Sequence, residues 1–149
     1  MRLQLTRRAD YAVRAMLALA RDPARVQSST RLAEAMDIPP RFMTQVMGDL
    51  VRAGLVEARN GRAGGYRLKP DPTQISVLAV VQAVEGDARR RTCVLRSTRC
   101  SVGGLCDVHE LFTGAQDALL ARLAGASLSK VLARAHDWRR DGAEWSDGQ

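Results

Sequence analysis

At 149 residues, 46% apolar and 26% charged, the chain is about one domain's worth and can bury a real core. No apolar run reaches the roughly 20 residues that span a bilayer and no signal-peptide core follows Met1, so no membrane partner is expected and the cytoplasm is the default. The net charge of +7 is uneven: residues 1–72 hold thirteen Arg/Lys against seven Asp/Glu, and the rest hold ten against nine, so the first half is the one suited to meet phosphate. Aromatics make up only 4%, which leaves Leu, Val, Ala and Met to build the core and favours helices.

The first helix is predicted from Thr6, a suitable N-cap, to about Arg21, with Val13, Met16, Leu17 and Ala20 as its buried stripe. Asp10 and Arg14 stand four apart on the other side and can pair there. After the break at Asp22-Pro23, Ser28-Ser29-Thr30 offers caps for a short second helix with Leu32, Ala33 and Met36 turned inward. Asp37-Ile-Pro39-Pro40 reads as a tight turn, and Pro40 suits the first position of a third helix. That helix turns Met43, Val46, Met47 and Leu50 inward and Arg41, Thr44, Gln45, Gly48 and Arg52 outward.

Two short helices joined by a brief turn make a helix-turn-helix, whose second helix enters the DNA major groove by its N-terminal turn. There Arg41 can read guanine or grip phosphate, while Thr44 and Gln45 can reach base edges. Ser29 and Thr30, opening the second helix, complete the expected contacts from the helix-turn-helix. Leu55–Arg59 and Tyr66–Lys69 read as two strands, linked by the Gly-rich Asn60-Gly-Arg-Ala-Gly-Gly65. A basic hairpin in this place is the wing of a winged helix, and Arg59 and Arg62 can lie along phosphates or enter the minor groove. Each piece alone is ordinary, since most polar helix faces are merely solvated. Their order, in the basic half of the chain, is what points to DNA.

Lys69-Pro-Asp-Pro72 closes this unit. Ser76 can cap a fourth helix with Val77, Val80, Val81 and Val84 on one face and Gly86 at its end. Arg89-Arg-Arg91 is assigned no site. After Cys106 a longer helix runs to about Ala124 with Val108, Leu111, Phe112, Ala115, Leu119 and Leu123 as an apolar stripe. A stripe this long on so small a chain suggests a partner helix, hence a symmetric homodimer on a roughly palindromic operator in double-stranded DNA. Ser127 starts a short last helix, and residues from Asp137 onward form a polar tail in which Trp138 and Trp145 could dock. The expected fold is mainly α with a small β-hairpin wing: a winged helix-turn-helix domain over 1–72, a metal-binding loop and dimerisation helices over 73–134, and a tail over 135–149.

All three cysteines, Cys93, Cys100 and Cys106, fall within fourteen residues, and His109 follows the last by three. Three thiolates and an imidazole at these spacings can close around one soft-metal centre. Gly103-Gly104 lets the backbone wrap closely between two of the thiols. An iron–sulfur cluster, a closed zinc site and bare redox-sensing thiols are all compatible, although the close Cys-x-x-Cys knuckle of many zinc modules is absent. Arg96 and Arg99 would favour the reactive thiolate. An enzyme is disfavoured: there is no nucleophile elbow, P-loop or His-Glu-x-x-His, and only His109 and His136 are available as imidazole bases. A small iron–sulfur electron carrier would not need an arginine-tipped wing.

Ile38-Pro-Pro-Arg-Phe-Met-Thr-Gln45, Leu50-Val-Arg-Ala-Gly-Leu-Val56 and Gly61-Arg-Ala-Gly-Gly-Tyr-Arg-Leu68 resemble the bacterial winged-helix transcriptional regulators typified by IscR, NsrR and RirA. Met1-Arg-Leu, Tyr11-Ala-Val and the three-cysteine loop agree, and the resemblance covers roughly residues 1–134. It implies a homodimeric DNA-binding regulator, a repressor, whose operator binding is controlled by an iron–sulfur cluster sensing nitric oxide, iron or redox state. Two fourth ligands follow from it. The Cys106-x-x-His109 ending is similar to the IscR arrangement, which implies a [2Fe–2S] cluster. Asp10 matches the helix-one position where NsrR-like nitric oxide sensors place a carboxylate contributed across the dimer to a [4Fe–4S] cluster.

Overall fold

In the computed structural model, which describes residues 5–86 and 108–134, short polar side chains set the helix starts. Thr6 Oγ1 accepts from the Ala9 N–H at 3.2 Å, Ser28 Oγ from Arg31 at 3.3 Å, Ser76 Oγ from Ala79 at 3.1 Å and Ser127 Oγ from Lys130 at 3.3 Å. Each such bond satisfies a donor the helix cannot use itself and is worth about 1 kcal/mol. The elements that follow are α1 (Arg7–Ala20), α2 (Ser29–Met36), α3 (Pro40–Arg52), β1 (Val56–Arg59), β2 (Gly65–Leu68), α4 (Val77–Glu85), α5 (His109–Ala124) and α6 (Leu128–Arg134). Among the described residues, no helix is long and apolar enough to cross a membrane.

Helix α1 runs through the middle, packed against α2, α3, α4, α6 and β2. Its buried residues are Ala9, Ala12, Ala15, Met16, Ala18, Leu19 and Ala20. This corrects the predicted stripe, because Val13 and Leu17 are only half-buried while four other alanines and Leu19 join Met16 and Ala20 inside. The reason is packing on several sides: helices approach closely over alanine, and the larger Val13 and Leu17 fall at the margins of the contact. Helices α2 and α3 bury the predicted residues, Leu32, Ala33 and Met36 in one and Met43, Val46, Met47 and Leu50 in the other. Val77, Val80, Val81 and Val84 of α4 and Leu128 of α6 complete the same core, which therefore continues past residue 72.

The first strand begins one residue later than predicted and ends at Arg59 as predicted, and the second is shifted one residue toward the turn. They pair antiparallel in the register Val56↔Leu68, Glu57↔Arg67, Ala58↔Tyr66 and Arg59↔Gly65. Helix α5 is different from the rest. It packs against α4, yet Leu111 is 71% exposed, and Val108 and Leu119 are exposed as well. The final helix is pinned by the Val77 N–H to Ala126 C=O bond at 2.8 Å and the Leu128 N–H to Ile75 C=O bond at 2.9 Å. Arg89–Arg91, Trp138, Trp145 and the tail over 135–149 lie outside the described residues.

Candidate nucleic-acid interface

The turn between α2 and α3 is built by Asp37 and Ile38. Asp37 takes a left-handed backbone conformation (φ 52°), one that Asp tolerates better than most residues, and ends α2 there. Ile38 then drops into the core, its N–H donating to the Ala33 carbonyl at 2.9 Å. Pro40 opens α3 where a missing N–H costs nothing. The result is a helix-turn-helix with α3 presenting its first turns to solvent.

Arg41, Thr44 and Gln45 are all exposed on α3. The Arg41 guanidinium lies 4.8 Å from the centroid of the Phe42 ring, and Phe42 in turn packs on Tyr11 of α1 at 5.6 Å. Among the described residues Arg41 enters no ion pair, so its charge is free for a ligand. Thr44 directs its hydroxyl back to the Pro40 carbonyl at 3.3 Å, leaving lone pairs outward. At the start of α2, Thr30 is exposed and Ser29 half-buried.

The hairpin is held in place by a contact the sequence did not announce. Gln27, one residue before the α2 cap, pairs with Tyr66 of β2 in a one-residue antiparallel bridge, the two backbone bonds measuring 2.9 and 2.8 Å. Its side-chain amide also donates to the Ala18 carbonyl of α1 at 3.3 Å. The loop end of β2 is thereby fastened beside the start of α2. Only glycine fits at Gly65 (φ 153°), where a Cβ would sit 2.3 Å from the Gln27 carbonyl oxygen. A glycine next to a turn is the one sign in the chain that could have revealed this close approach.

Beyond that anchored segment, Arg62 is exposed at the hairpin tip and enters no ion pair among the described residues. Arg59 is exposed too, with its Nε 3.5 Å from Glu57 Oε1. Glu57 is chiefly the partner of Arg67 across the strands, accepting at 2.6 Å. That hydrogen bond, with the charges of Arg67 and Arg59, holds the Glu57 carboxyl below its ordinary value. The wing therefore has a cross-braced stem and, at its tip, an exposed arginine with no ion pair among the described residues.

Asp49, on the inner side of α3, was not foreseen. It is the buried charged residue among the described ones, and Arg8 of α1 and Arg52 of α3 each donate to one of its oxygens. Asp10 is paired with Arg14, which donates through Nε at 3.1 Å and Nη2 at 2.5 Å. Arg14 also reaches the Met36 carbonyl, at the end of α2, at 3.4 Å. Cys93, Cys100 and Cys106 lie outside the described residues, and His109 is the first residue of α5. Among the described residues no group of three or more His, Cys, Asp or Glu side chains could hold a metal ion.

Known proteins resemble this chain in sequence and in fold. The chain is 30% identical over 139 residues to the HTH-type transcriptional regulator NsrR of Shouchella clausii, covering 92% of this chain and 93% of that one. It is 31% identical over 132 residues to NsrR of Halalkalibacterium halodurans, covering 87% and 90%. Among solved structures, CymR, the global cysteine regulator of B. subtilis, superposes with a TM-score of 0.75 at 21% identity, covering 91% of this chain and all of that one. IscR of T. potens superposes at 0.70 with 23% identity, covering 98% and 94%. These two likenesses establish the winged-helix fold. The family pattern for Rrf2, iron-dependent transcriptional regulator, matches residues 5–134, and the chain belongs to the Rrf2 family of transcriptional regulators.

Proposed function

We propose that the chain is a homodimeric repressor that grips a roughly palindromic operator through α3 and the wing, under the control of an iron–sulfur cluster. The observation that carries the DNA reading is a pair of exposed arginines that enter no ion pair among the described residues, Arg41 on the first turn of α3 and Arg62 at the wing tip. Thr44 and Gln45 are exposed beside Arg41 and would reach base edges, and Arg59, Ser29 and Thr30 would contact the DNA backbone. The exposed Leu111 and Leu119 of α5 support a second copy as the partner of that helix.

Three thiols form a donor set suited to iron–sulfur binding, so Cys93, Cys100 and Cys106 would hold the cluster, with Asp10 or His109 as fourth ligand. When bound, it would supply chemistry sensitive to nitric oxide, iron supply or redox state. Asp10 is a workable ligand because it is only half-buried, and it would have to exchange Arg14 for the metal. Arg14 would then be freed at the end of α2, next to the turn that aims α3. The DNA reading is tested by an Arg41→Ala, Arg62→Ala double variant measured at low salt. Lost binding with an unchanged thermal midpoint is expected, and unchanged binding contradicts the docking.

A further inference from the structure

We propose that Arg8 and Arg52, both anchored on the buried Asp49, form a clamp for a DNA backbone phosphate at the far end of α3; this rests on the docking of α3 proposed above. A carboxylate withdrawn from water needs a cationic partner, and one arginine neutralises it. Asp49, 5% exposed, has two, Arg8 on Oδ2 and Arg52 on Oδ1. The trio keeps a net positive charge. Each guanidinium uses one nitrogen on Asp49 and retains other N–H donors, and the Arg8 and Arg52 side chains are 47% and 73% exposed. Two outward cations are thus held in place before any ligand arrives, which removes much of the side-chain entropy that binding would otherwise cost.

Their position matches the DNA-facing stripe. At 3.6 residues per turn, Arg41, Gln45, Gly48 and Arg52 fall within a narrow sector of α3, and Arg52 lies roughly 16 Å along the axis from Arg41. Gly48 leaves that sector flat between Gln45 and Arg52. A Cβ there would lie 3.6 Å from Arg52 Nη1, so the guanidinium rests against bare helix surface on its way to Asp49. A mid-helix glycine destabilises by about 1 kcal/mol relative to alanine, and the room it leaves for the Arg52 guanidinium is a physical return for it. Arg8 adds its charge from the first turn of α1, whose N-terminal dipole also favours an anion.

The test measures affinity for a short mixed-sequence DNA duplex against salt, for wild type, Arg8→Ala, Arg52→Ala and the Arg41→Ala, Arg62→Ala variant. Each single variant leaves Asp49 held by the remaining arginine, and a thermal melt checks that it is folded. The clamp predicts that Arg8→Ala and Arg52→Ala each reduce the slope of log K against log salt by about one. Wild-type slopes in both, with binding lost in the Arg41, Arg62 variant, leave the trio a purely structural tie and overturn the clamp alone. Wild-type behaviour in all the variants overturns the docking of α3 and the clamp with it.

Discussion

Replacing Gly65 with alanine should unfasten the wing. The new methyl would lie 2.3 Å from the Gln27 carbonyl oxygen, 2.6 Å from its carbon and 2.9 Å from the Ser28 nitrogen, all backbone atoms that cannot rotate away. The Gln27–Tyr66 bridge must open, which forfeits two hydrogen bonds worth about 1 kcal/mol each. Holding an L-residue at φ 153° adds about 1–3 kcal/mol. Together these predict a loss of roughly 3–5 kcal/mol, on the order of a 10 °C fall in the melting midpoint for a chain of this size. Gly61→Ala is the control: its φ is 103° but nothing lies within 4 Å of the added carbon, so only the backbone term applies. Urea and thermal unfolding followed by circular dichroism would give both values. Equal losses for the two substitutions, or a Gly65→Ala loss under about 1.5 kcal/mol, would refute the close approach as the reason for this glycine. Operator affinity should fall with it, because the freed hairpin no longer presents Arg62 in a fixed place.

Other perturbations have distinct expected outcomes. Leu50→Ala, at a fully buried position on the inner face of α3, should lower unfolding free energy by about 2–5 kcal/mol in a denaturant titration. Leu111→Glu should leave the protomer folded but shift sedimentation from dimer toward monomer, since that side chain is 71% exposed within the protomer. Glu57 gives a pH signature. Its folded carboxyl lies below the ordinary 4.5, so the stabilisation it shares with Arg67 is fully present above that value and is lost as pH falls through the lowered folded one. The Glu57→Gln variant should therefore show a shallower acid loss of its urea midpoint, a small effect because the pair is solvent-screened. Asp10→Ala and His109→Ala, prepared without oxygen, should separate the fourth ligand: the variant that lacks it has an altered visible spectrum, and the other keeps the wild-type one.

Much of this architecture was legible because it rests on local chemistry. Thr6, Ser28 and Ser76 cap helices wherever a donor must be met, and Pro40 starts one for the same reason. The inner face of α3 followed from its period, since one side of that helix is buried and the other solvated. Helix α1 defeated the same reading because it is enclosed on several sides, and there alanine, weak on any hydropathy scale, makes the contacts. Gln27 carried no pattern at all. A single bridging residue has no period, and its role depends on Tyr66, thirty-nine positions away. Asp49 was missed because a charged residue reads as solvated unless its partners are known, and one of them, Arg8, lies on another helix. In the site, the exposed α3 residues and Arg62 could be named from pattern, whereas the pairing of Asp10 with Arg14 and its reach to Met36 depended on tertiary placement.

The most direct test of cluster control is to purify the protein without oxygen, assay iron, sulfide and zinc, and measure operator binding before and after the cluster is destroyed. A coloured protein with iron and sulfide in cluster ratio, whose DNA affinity changes when the colour is lost and which is colourless as a Cys100→Ser variant, is the predicted result. A colourless protein carrying stoichiometric zinc, or DNA binding indifferent to loss of the cluster, would contradict it.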